Sequence, residues 1–266
     1  MKQYLSKQNK ALLSELVRTD FKLRYQGSVL GYMWSLLKPL FLFVILYIVF
    51  VGFLKLGRDI EHFPVYLLLG IVLWNFFTEM TVQSLGSIIG RGDLIRKIRI
   101  PRWMIVFSSS ISASINLALS LVVVGIFMVI NQVPLMPSIV LLPIYIAILY
   151  VLALGCSLFL SAAYIKFRDL SYIWEVVLQA GFYATPIIYP LQLVPNEFVQ
   201  KLLLLNPIAF VVQGARDNVI TSQALTLTDM WGSVVYVLIP LVLVAAIFAG
   251  GLLYFKRESK YFAENI

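Results

Sequence analysis

Long apolar stretches with very few charged residues alternate with shorter polar connections along this chain. Six stretches have membrane-spanning length: 34–53, 63–87, 104–130, 138–165, 172–189 and 231–255. The hydrocarbon core of a bilayer needs roughly 20 apolar residues at the rise of an α-helix, and an isolated helix satisfies its own backbone hydrogen bonds in lipid. The pattern predicts an all-α integral membrane protein in which residues 1–266 form one membrane domain with six transmembrane helices.

The N-terminal segment 1–26 has a different pattern. Its apolar residues recur every three or four positions while basic residues occupy the other side, as in Leu12, Leu16 and Lys22. This pattern favours an amphipathic helix lying in the membrane interface, and a solvated lead-in is the alternative. The segment lacks the early apolar core of a cleaved signal peptide, so we expect the N-terminus to stay in the cytoplasm.

Basic residues are distributed unevenly between the two sides of the predicted bundle. With both termini inside, seventeen of the 21 Lys and Arg residues fall on the cytoplasmic side and four fall outside. Cytoplasmic loops of membrane proteins carry such an excess. The net charge of +8 is therefore explained by orientation, and no nucleic-acid partner is expected.

The loop 90–102 holds the densest charge cluster, with Arg91, Arg96, Lys97, Arg99 and Arg102. A short cytoplasmic helix over 93–99 would place Ile95 and Ile98 on an apolar side opposite the bases, and Pro101 would end it. One interpretation is a docking surface for a soluble subunit. The other is that the bases only set topology or contact anionic lipid headgroups.

The region 190–230 lies outside in this topology and is unusually apolar for a loop. Four prolines, Pro186, Pro190, Pro195 and Pro207, interrupt it or flank it. Its apolar runs are too short to span a bilayer, which favours short re-entrant helices acting as an external gate. The gate candidates are Pro195, Phe198, Leu202 and Asn206, and a hydrophobic lid without motion is the alternative.

Polar side chains also occur within the spans. Asn75, Thr78, Glu79 and Gln83 share one face of the second span, and Glu175 and Gln179 are one turn apart on the fifth. Intramembrane carboxylates ordinarily face the bundle interior or a water-filled route. The channel-lining candidates are Tyr47, Asn75, Glu79, Gln83, Gln179, Phe182 and Tyr183, and hydrogen bonding between helices is the alternative.

Motifs for chemistry are missing from the sequence. It has no G-x-x-x-x-G-K-[ST] phosphate loop, no G-x-S-x-G and no H-E-x-x-H, and it contains one cysteine, Cys156, and one histidine, His62. We therefore expect no catalytic residue, metal site or cofactor in this chain. Any energy source must come from a partner.

Five ordered motifs carry a family resemblance. They are RTDFKLRYQGSVLGYMWSLLKP at 18–39, LIRKIRIPR at 94–102, FRDL at 167–170, FYATPIIYP at 182–190 and LNP at 205–207. Together they resemble the ABC-2 type permeases that export polysaccharides and teichoic acids, the Wzm, KpsM and TarG group.

The resemblance implies a bacterial cytoplasmic-membrane permease that pairs with a second copy of itself and with two copies of an ABC nucleotide-binding subunit, which bind ATP and Mg. It implies a lipid-linked glycan of the undecaprenyl-diphosphate type as cargo. The implied coupling residues are Asp93, Leu94, Ile95, Arg96, Lys97, Ile98 and Arg99, and Arg18, Lys22 and Arg24 would suit the diphosphate headgroup.

Other functions remain open at this point. An ABC-2 exporter of a drug or lipid would share the fold, and an ATP-independent flippase or a membrane glycosyltransferase would need carboxylates, for which only Glu79 and Glu175 qualify within the spans. The cargo itself is not specified, because O-antigen, capsule, wall polysaccharide and teichoic acid fit the same pattern.

Overall fold

The computed structural model of the chain describes residues 7–25, 28, 30–31, 33–53, 60–93 and 101–262, which are predominantly helical and contain no β-strand. Five helical stretches in them are long and apolar enough to cross a membrane: Leu36–Phe53, Phe63–Leu85, Trp103–Ile130, Pro137–Ala163 and Val234–Tyr261. A bent helix pair makes a sixth if it is counted as one span. The predicted all-α membrane fold is confirmed.

Ten α-helices are described in these ranges. They are α1 (Lys7–Tyr25), α2 (Met33–Tyr47), α3 (Phe63–Leu85), α4 (Trp103–Ile130), α5 (Leu142–Ala163), α6 (Leu170–Ala184), α7 (Glu197–Leu204), α8 (Pro207–Val219), α9 (Leu227–Trp231) and α10 (Leu238–Glu258). A π-helical segment, Ile48–Phe53, extends α2, and 3-10 turns at Pro137–Leu141 and Val234–Val237 lead into α5 and α10.

Helix α3 is the centre of the bundle. It packs against α2, α4, α5, α6 and α8. In its most apolar stretch 78% of the residues are buried, against 11–33% in the other four spans. A helix that is apolar on most of its sides is expected in such a position, and α3 therefore positions the side chains of the helices around it.

Helices α5 and α10 pack backbone to backbone, and glycines permit the approach. A Cβ atom added to Gly155 would lie 2.6 Å from the Cα of Phe248, and one added to Gly251 would overlap the carbonyl of Gly155. Small residues let membrane helices pack backbone to backbone, where van der Waals contact drives association.

The fifth predicted span is shorter than expected. Helix α6 ends at Ala184, before the predicted end at residue 189, because Thr185 is extended (φ −97°, ψ 138°) and precedes Pro186. A residue before proline is driven away from helical geometry. The fifteen residues of α6 extend about 22 Å, less than the thickness of a bilayer core.

The predicted gate region contains two helices that meet at 96°. The Asn196 side chain caps α7 by accepting from the backbone N–H groups of Phe198 and Val199. Asn206 caps α8 by accepting from Ile208, with Pro207 in the first turn. These caps and the proline stop one helix and start the next, which produces the sharp bend.

The ends of α3, α5 and α10 meet the start of α4 at one end of the bundle. A small apolar cluster there contains Ile88, Ile105, Leu158 and Phe255. We call this the basic end, because it carries Arg91, Arg102, Lys166 and Lys256. Helix α1 packs on α4, with Leu16 buried and Lys10, Arg18 and Lys22 exposed.

Candidate functional site

A groove of about 410 Å³, lined by both polar and apolar side chains, lies between α2, α3 and α4. Its polar lining consists of Lys38, Asn75, Thr78, Glu79, Gln83, Asn116 and Ser120. Trp34, Phe76 and Leu117 add apolar surface. A largely apolar pocket with a few convergent polar groups is the usual form of a ligand site, so we treat this groove as the candidate site.

Helix α3 supplies one wall of the groove. Asn75, Thr78, Glu79 and Gln83 all line it, as their spacing of three, four and eight residues places them on one face of a helix. The sequence pattern identified this shared face. It did not identify the facing residues, Asn116 and Ser120 on α4 and Lys38 on α2, because they come from helices distant in sequence.

Glu79 is the hydrogen-bonding centre of the groove. Its Oε1 accepts from Gln83 Nε2 at 2.7 Å on the same helix. The same oxygen accepts from Asn116 Nδ2 across the groove. This contact joins α3 to α4 and holds the carboxylate toward the cavity. Glu79 therefore both lines the groove and forms a hydrogen bond between helices, which were the two alternatives for the polar face.

Two buried polar atoms in the groove lack a hydrogen-bond partner among the described residues. They are Oγ1 of Thr78 and Oδ1 of Asn116. A buried polar atom without a partner costs about 1–3 kcal/mol, and an explanation is warranted for each one. Because both residues line a polar cavity, a hydroxyl-bearing ligand or water is the natural partner.

The remaining channel-lining candidates lie away from the groove. Gln179 and Tyr183 are exposed on α6, Phe182 packs on Trp74 of α3 with ring centroids 5.9 Å apart, and Tyr47 is exposed at the end of α2. Of the candidate set, Asn75, Glu79 and Gln83 line the groove, Gln179 and Tyr183 are exposed on α6, and Tyr47 and Phe182 lie at neither place.

Helix α6 is attached to α3 along a narrow contact. Trp174 Nε1 donates to Thr81 Oγ1 at 3.1 Å, and Gly181 faces the Trp74 ring. Of the residues of α6, Leu178 alone is buried. The side of α6 turned away from α3, with Tyr172, Val176 and Tyr183, is exposed in one copy of the chain.

A buried arginine that sequence reasoning missed secures the bent segment. Arg216 in α8 is 0% exposed. Its Nε donates to the Tyr66 carbonyl at 3.0 Å, Nη1 to the Pro186 carbonyl at 2.6 Å, and Nη2 to the Ile187 carbonyl at 2.6 Å. Nη1 also donates to Gln213 Oε1 at 3.1 Å.

These bonds connect three parts of the chain: α3, the break after α6, and α8. Gly70, one turn beyond Tyr66, leaves space for the guanidinium, since a Cβ there would overlap Nη2. From sequence, Arg216 counted only as one of four basic residues on the outer side, where a solvated arginine is the default. No local pattern in the sequence indicates that it is buried.

The gate candidates divide into exposed residues and a structural one. Pro195, Phe198 and Leu202 are exposed on and before α7. Asn206 caps α8 and its Nδ2 donates to Thr185 Oγ1 at 3.3 Å. Asn206 therefore holds the bend, whereas Phe198 and Leu202 of α7 are exposed and can contact other molecules.

The headgroup and coupling candidates lie at the basic end. Arg18 and Lys22 are exposed on α1, which also contains Arg24, and Asp93 is exposed after α3. The side chain of Arg24 and residues 94–100 fall outside the described part of the chain. The predicted coupling helix over 93–99 therefore stays a prediction.

The chain is similar in sequence to known membrane permeases. The sequence profile described as ABC-2 type transporter matches residues 11–220. The O-antigen export system permease protein RfbA of Myxococcus xanthus is 32% identical over 204 residues, which cover 75% of this chain and 76% of that protein.

Two further relatives are more distant. A protein of the same name from Klebsiella pneumoniae is 28% identical over 207 residues, 77% of this chain and 79% of its own. The polysialic acid transport protein KpsM of Escherichia coli is 23% identical over 212 residues, 79% and 81% of the two chains. The family profile covers most of the chain, and the Myxococcus xanthus relative is 32% identical to it. The chain therefore belongs to the ABC-2 type transporter family.

Proposed function

We propose that this chain is the permease subunit of an ABC exporter that moves a polysaccharide across the cytoplasmic membrane. The observation that carries the proposal is similarity over about three quarters of the chain to permeases named for O-antigen export and polysialic acid transport. The groove supports it, because amide, carboxylate and ammonium groups suit a cargo rich in hydroxyl groups.

A second copy of the chain completes the translocation route. One copy offers an open groove and an uncovered face of α6, where Tyr172, Val176 and Tyr183 are each at least 60% exposed. Most homo-oligomers are symmetric, and a two-fold axis joins the same surface of both copies. A passage between two such faces is lined by polar and aromatic side chains on both sides.

The basic end faces the cytoplasm in this proposal. Seventeen of the 21 basic residues then lie inside, in accordance with the bias of membrane proteins. Both termini are cytoplasmic, and α7 and α8 lie toward the outside, where the exposed Phe198 and Leu202 flank the exit.

The lipid carrier enters at the cytoplasmic side. A glycan linked to a lipid diphosphate brings two phosphates to the depth of α1, and Arg18 and Lys22 are exposed one turn apart on that helix. Arg and Lys bind phosphate through charge-assisted hydrogen bonds. Arg24 belongs to the proposed headgroup site by its position in the sequence.

ATP hydrolysis takes place in a separate nucleotide-binding subunit, two copies of which dock on the loop 93–99 and on α1. Closure of that dimer moves the loop and tilts the spans. The test is the double substitution Ile95→Asp and Ile98→Asp in the intact complex, with Lys256→Gln, an exposed residue at the same end, as control.

We expect the double variant to lose co-purification with the nucleotide-binding subunit, or to keep the complex and lose export. The control should retain both. A folded double variant that still binds the subunit and still exports would remove the loop from the coupling surface. Loss of export in the control as well would indicate a general sensitivity of the basic end.

Export of an amphipathic drug or lipid is the second candidate. The apolar part of the groove lining, Trp34, Phe76 and Leu117, favours it. Such a cargo would not require the amide residues of the groove. The two candidates are separated by which molecule accumulates inside cells that lack the protein.

A further inference from the structure

Three polar side chains from separate segments meet at the basic end. Arg91, in the turn that follows α3, donates from Nη2 to Asp20 Oδ1 on α1. Its Nη1 donates to Ser108 Oγ on α4 at 3.2 Å. Ser108 Oγ in turn lies 3.1 Å from Asp20 Oδ2 and 2.8 Å from the Ile105 carbonyl, and its single proton is shared between these two acceptors.

This cluster is more than a solvated surface contact. The side chains of Arg91 and Asp20 are 16% and 20% exposed, and the carboxylate has a polar neighbour at each oxygen, Arg91 Nη2 at Oδ1 and Ser108 Oγ at Oδ2. Exposed ion pairs contribute little, whereas charge-assisted hydrogen bonds shielded from water are about twice as strong as neutral ones. The cluster therefore fixes the position of α1 on the bundle.

The position of Arg91 in the sequence connects this contact to the proposed docking loop. Arg91 lies two residues before the loop 93–99 that we propose as the docking surface for the nucleotide-binding subunit. Just before it, Ile88 is buried in an apolar cluster with Ile105 and Val106, which follow the same loop. Both flanks of the loop are thus anchored, and Arg91 joins the first flank to α1.

We infer that Asp20 and Arg91 couple α1 to the docking loop as one mechanical unit, with Ser108 as a third contact. A displacement imposed on the loop is then transmitted to α1 and to the start of α4 together. The inference rests on the proposed ATPase coupling. It assigns Asp20 and Arg91 as positioning residues and removes Arg91 from the set of bases available to the partner.

A charge exchange tests the pair. In the full complex, Asp20→Arg and Arg91→Asp each place like charges in contact, and we expect export per ATP hydrolysed to fall about tenfold in each, since contacting pairs couple by up to a few kcal/mol. The double exchange should restore export to within about threefold of the unmodified complex. Lys256→Asp, an exposed charge reversal at the same end, should leave it unchanged.

The ratio of export to ATP hydrolysis separates coupling from stability. A pair that only stabilised the fold would lower the yield of purified complex and leave this ratio unchanged. Single variants with an unchanged ratio, or a double exchange as impaired as the singles, would overturn the inference. Either result leaves the proposed function intact, because the unmodified complex still exports.

A cross-link tests the shared movement directly. In a Cys156→Ala background, Asp20→Cys and Ser108→Cys place two thiols where polar atoms now lie 3.1 Å apart, within reach of a short bifunctional methanethiosulfonate. The variant lacks the Asp20 carboxylate, so we expect its export to be reduced before cross-linking; if α1 and the start of α4 move together, cross-linking lowers that rate no further. Export that stops on cross-linking and returns on reduction would show that the two separate during the cycle, and would overturn the inference.

Discussion

The guanidinium of Arg216 in α8 lies over the ring of Tyr66 in α3, with 3.7 Å between Cζ and the ring centroid. The same arginine donates from Nε to the carbonyl of Tyr66. One side chain thus contacts a single residue through its ring and its backbone, and a cation close to an aromatic face gains further when both are shielded from water. This contact ties the bent α7–α8 segment to the central helix.

Arg216→Met should destabilise the protein, because it leaves the carbonyls of Pro186 and Ile187 without the donor they have in Arg216, at about 1–3 kcal/mol for each unsatisfied group. The apparent melting temperature of the detergent-solubilised permease should fall by about 5 °C or more. Lys256→Met, which removes an exposed cation, is the control. Equal melting temperatures for the two variants would show that the arginine does not hold this segment.

Adjacent glycines in α10 provide a matched pair. Gly251→Ala should weaken the packing of α5 on α10, because the new Cβ overlaps the carbonyl of Gly155, whereas nothing lies within 4 Å of a Cβ at Gly250. Gly250→Ala should be neutral or stabilising by up to about 1 kcal/mol through helix propensity. Thermal unfolding of both variants checks this, and the reverse order of stability would contradict the helix contact.

Glu79→Gln tests the groove with little change in shape. The glutamine keeps an oxygen that accepts from Gln83 and Asn116, so the helix contact should survive while the charge is lost. Hydrogen bonds to a charged group are stronger by about 1 kcal/mol, and we expect export to fall about fivefold to tenfold with normal protein level. Glu61→Gln, in an exposed turn, is the control, and unchanged export in Glu79→Gln would exclude the carboxylate from cargo contact.

The headgroup proposal predicts that Arg18→Gln combined with Arg24→Gln weakens stimulation of ATP hydrolysis by a lipid diphosphate in reconstituted vesicles. Each basic residue near a charged membrane surface contributes about 1 kcal/mol, so the two together contribute about 2 kcal/mol and about thirtyfold more lipid diphosphate should be needed. Lys10→Gln, exposed on the same helix, should behave like the unmodified protein. An unchanged dependence in the double variant would place the headgroup elsewhere.

Sequence pattern was sufficient for much of the fold, since long apolar runs must be helical in a membrane. It placed the α3 face of the groove because Asn75, Glu79 and Gln83 follow helical spacing. It placed the end of the fifth span too late: hydropathy stays high through the break at Thr185, and only Pro186 indicates it.

Contacts between distant segments were not predictable from spacing. Asn116 meets Glu79 and Arg91 meets Asp20 only after the helices pack. Both arginines had an ordinary explanation in the sequence, Arg91 as a topology or docking charge and Arg216 as an outer-loop charge. In the structure Arg216 is fully buried and the Arg91 side chain is only 16% exposed. A single sequence carries no signal for burial at isolated charged positions.

Polysaccharide export is tested most directly by depleting this protein and then measuring the lipid-linked glycan in each leaflet of the cytoplasmic membrane. A permease that exports this cargo predicts accumulation of the lipid-linked glycan in the cytoplasmic leaflet and its loss from the cell surface. An unchanged distribution of the glycan between the leaflets after depletion would contradict the proposed cargo and favour export of a drug or lipid.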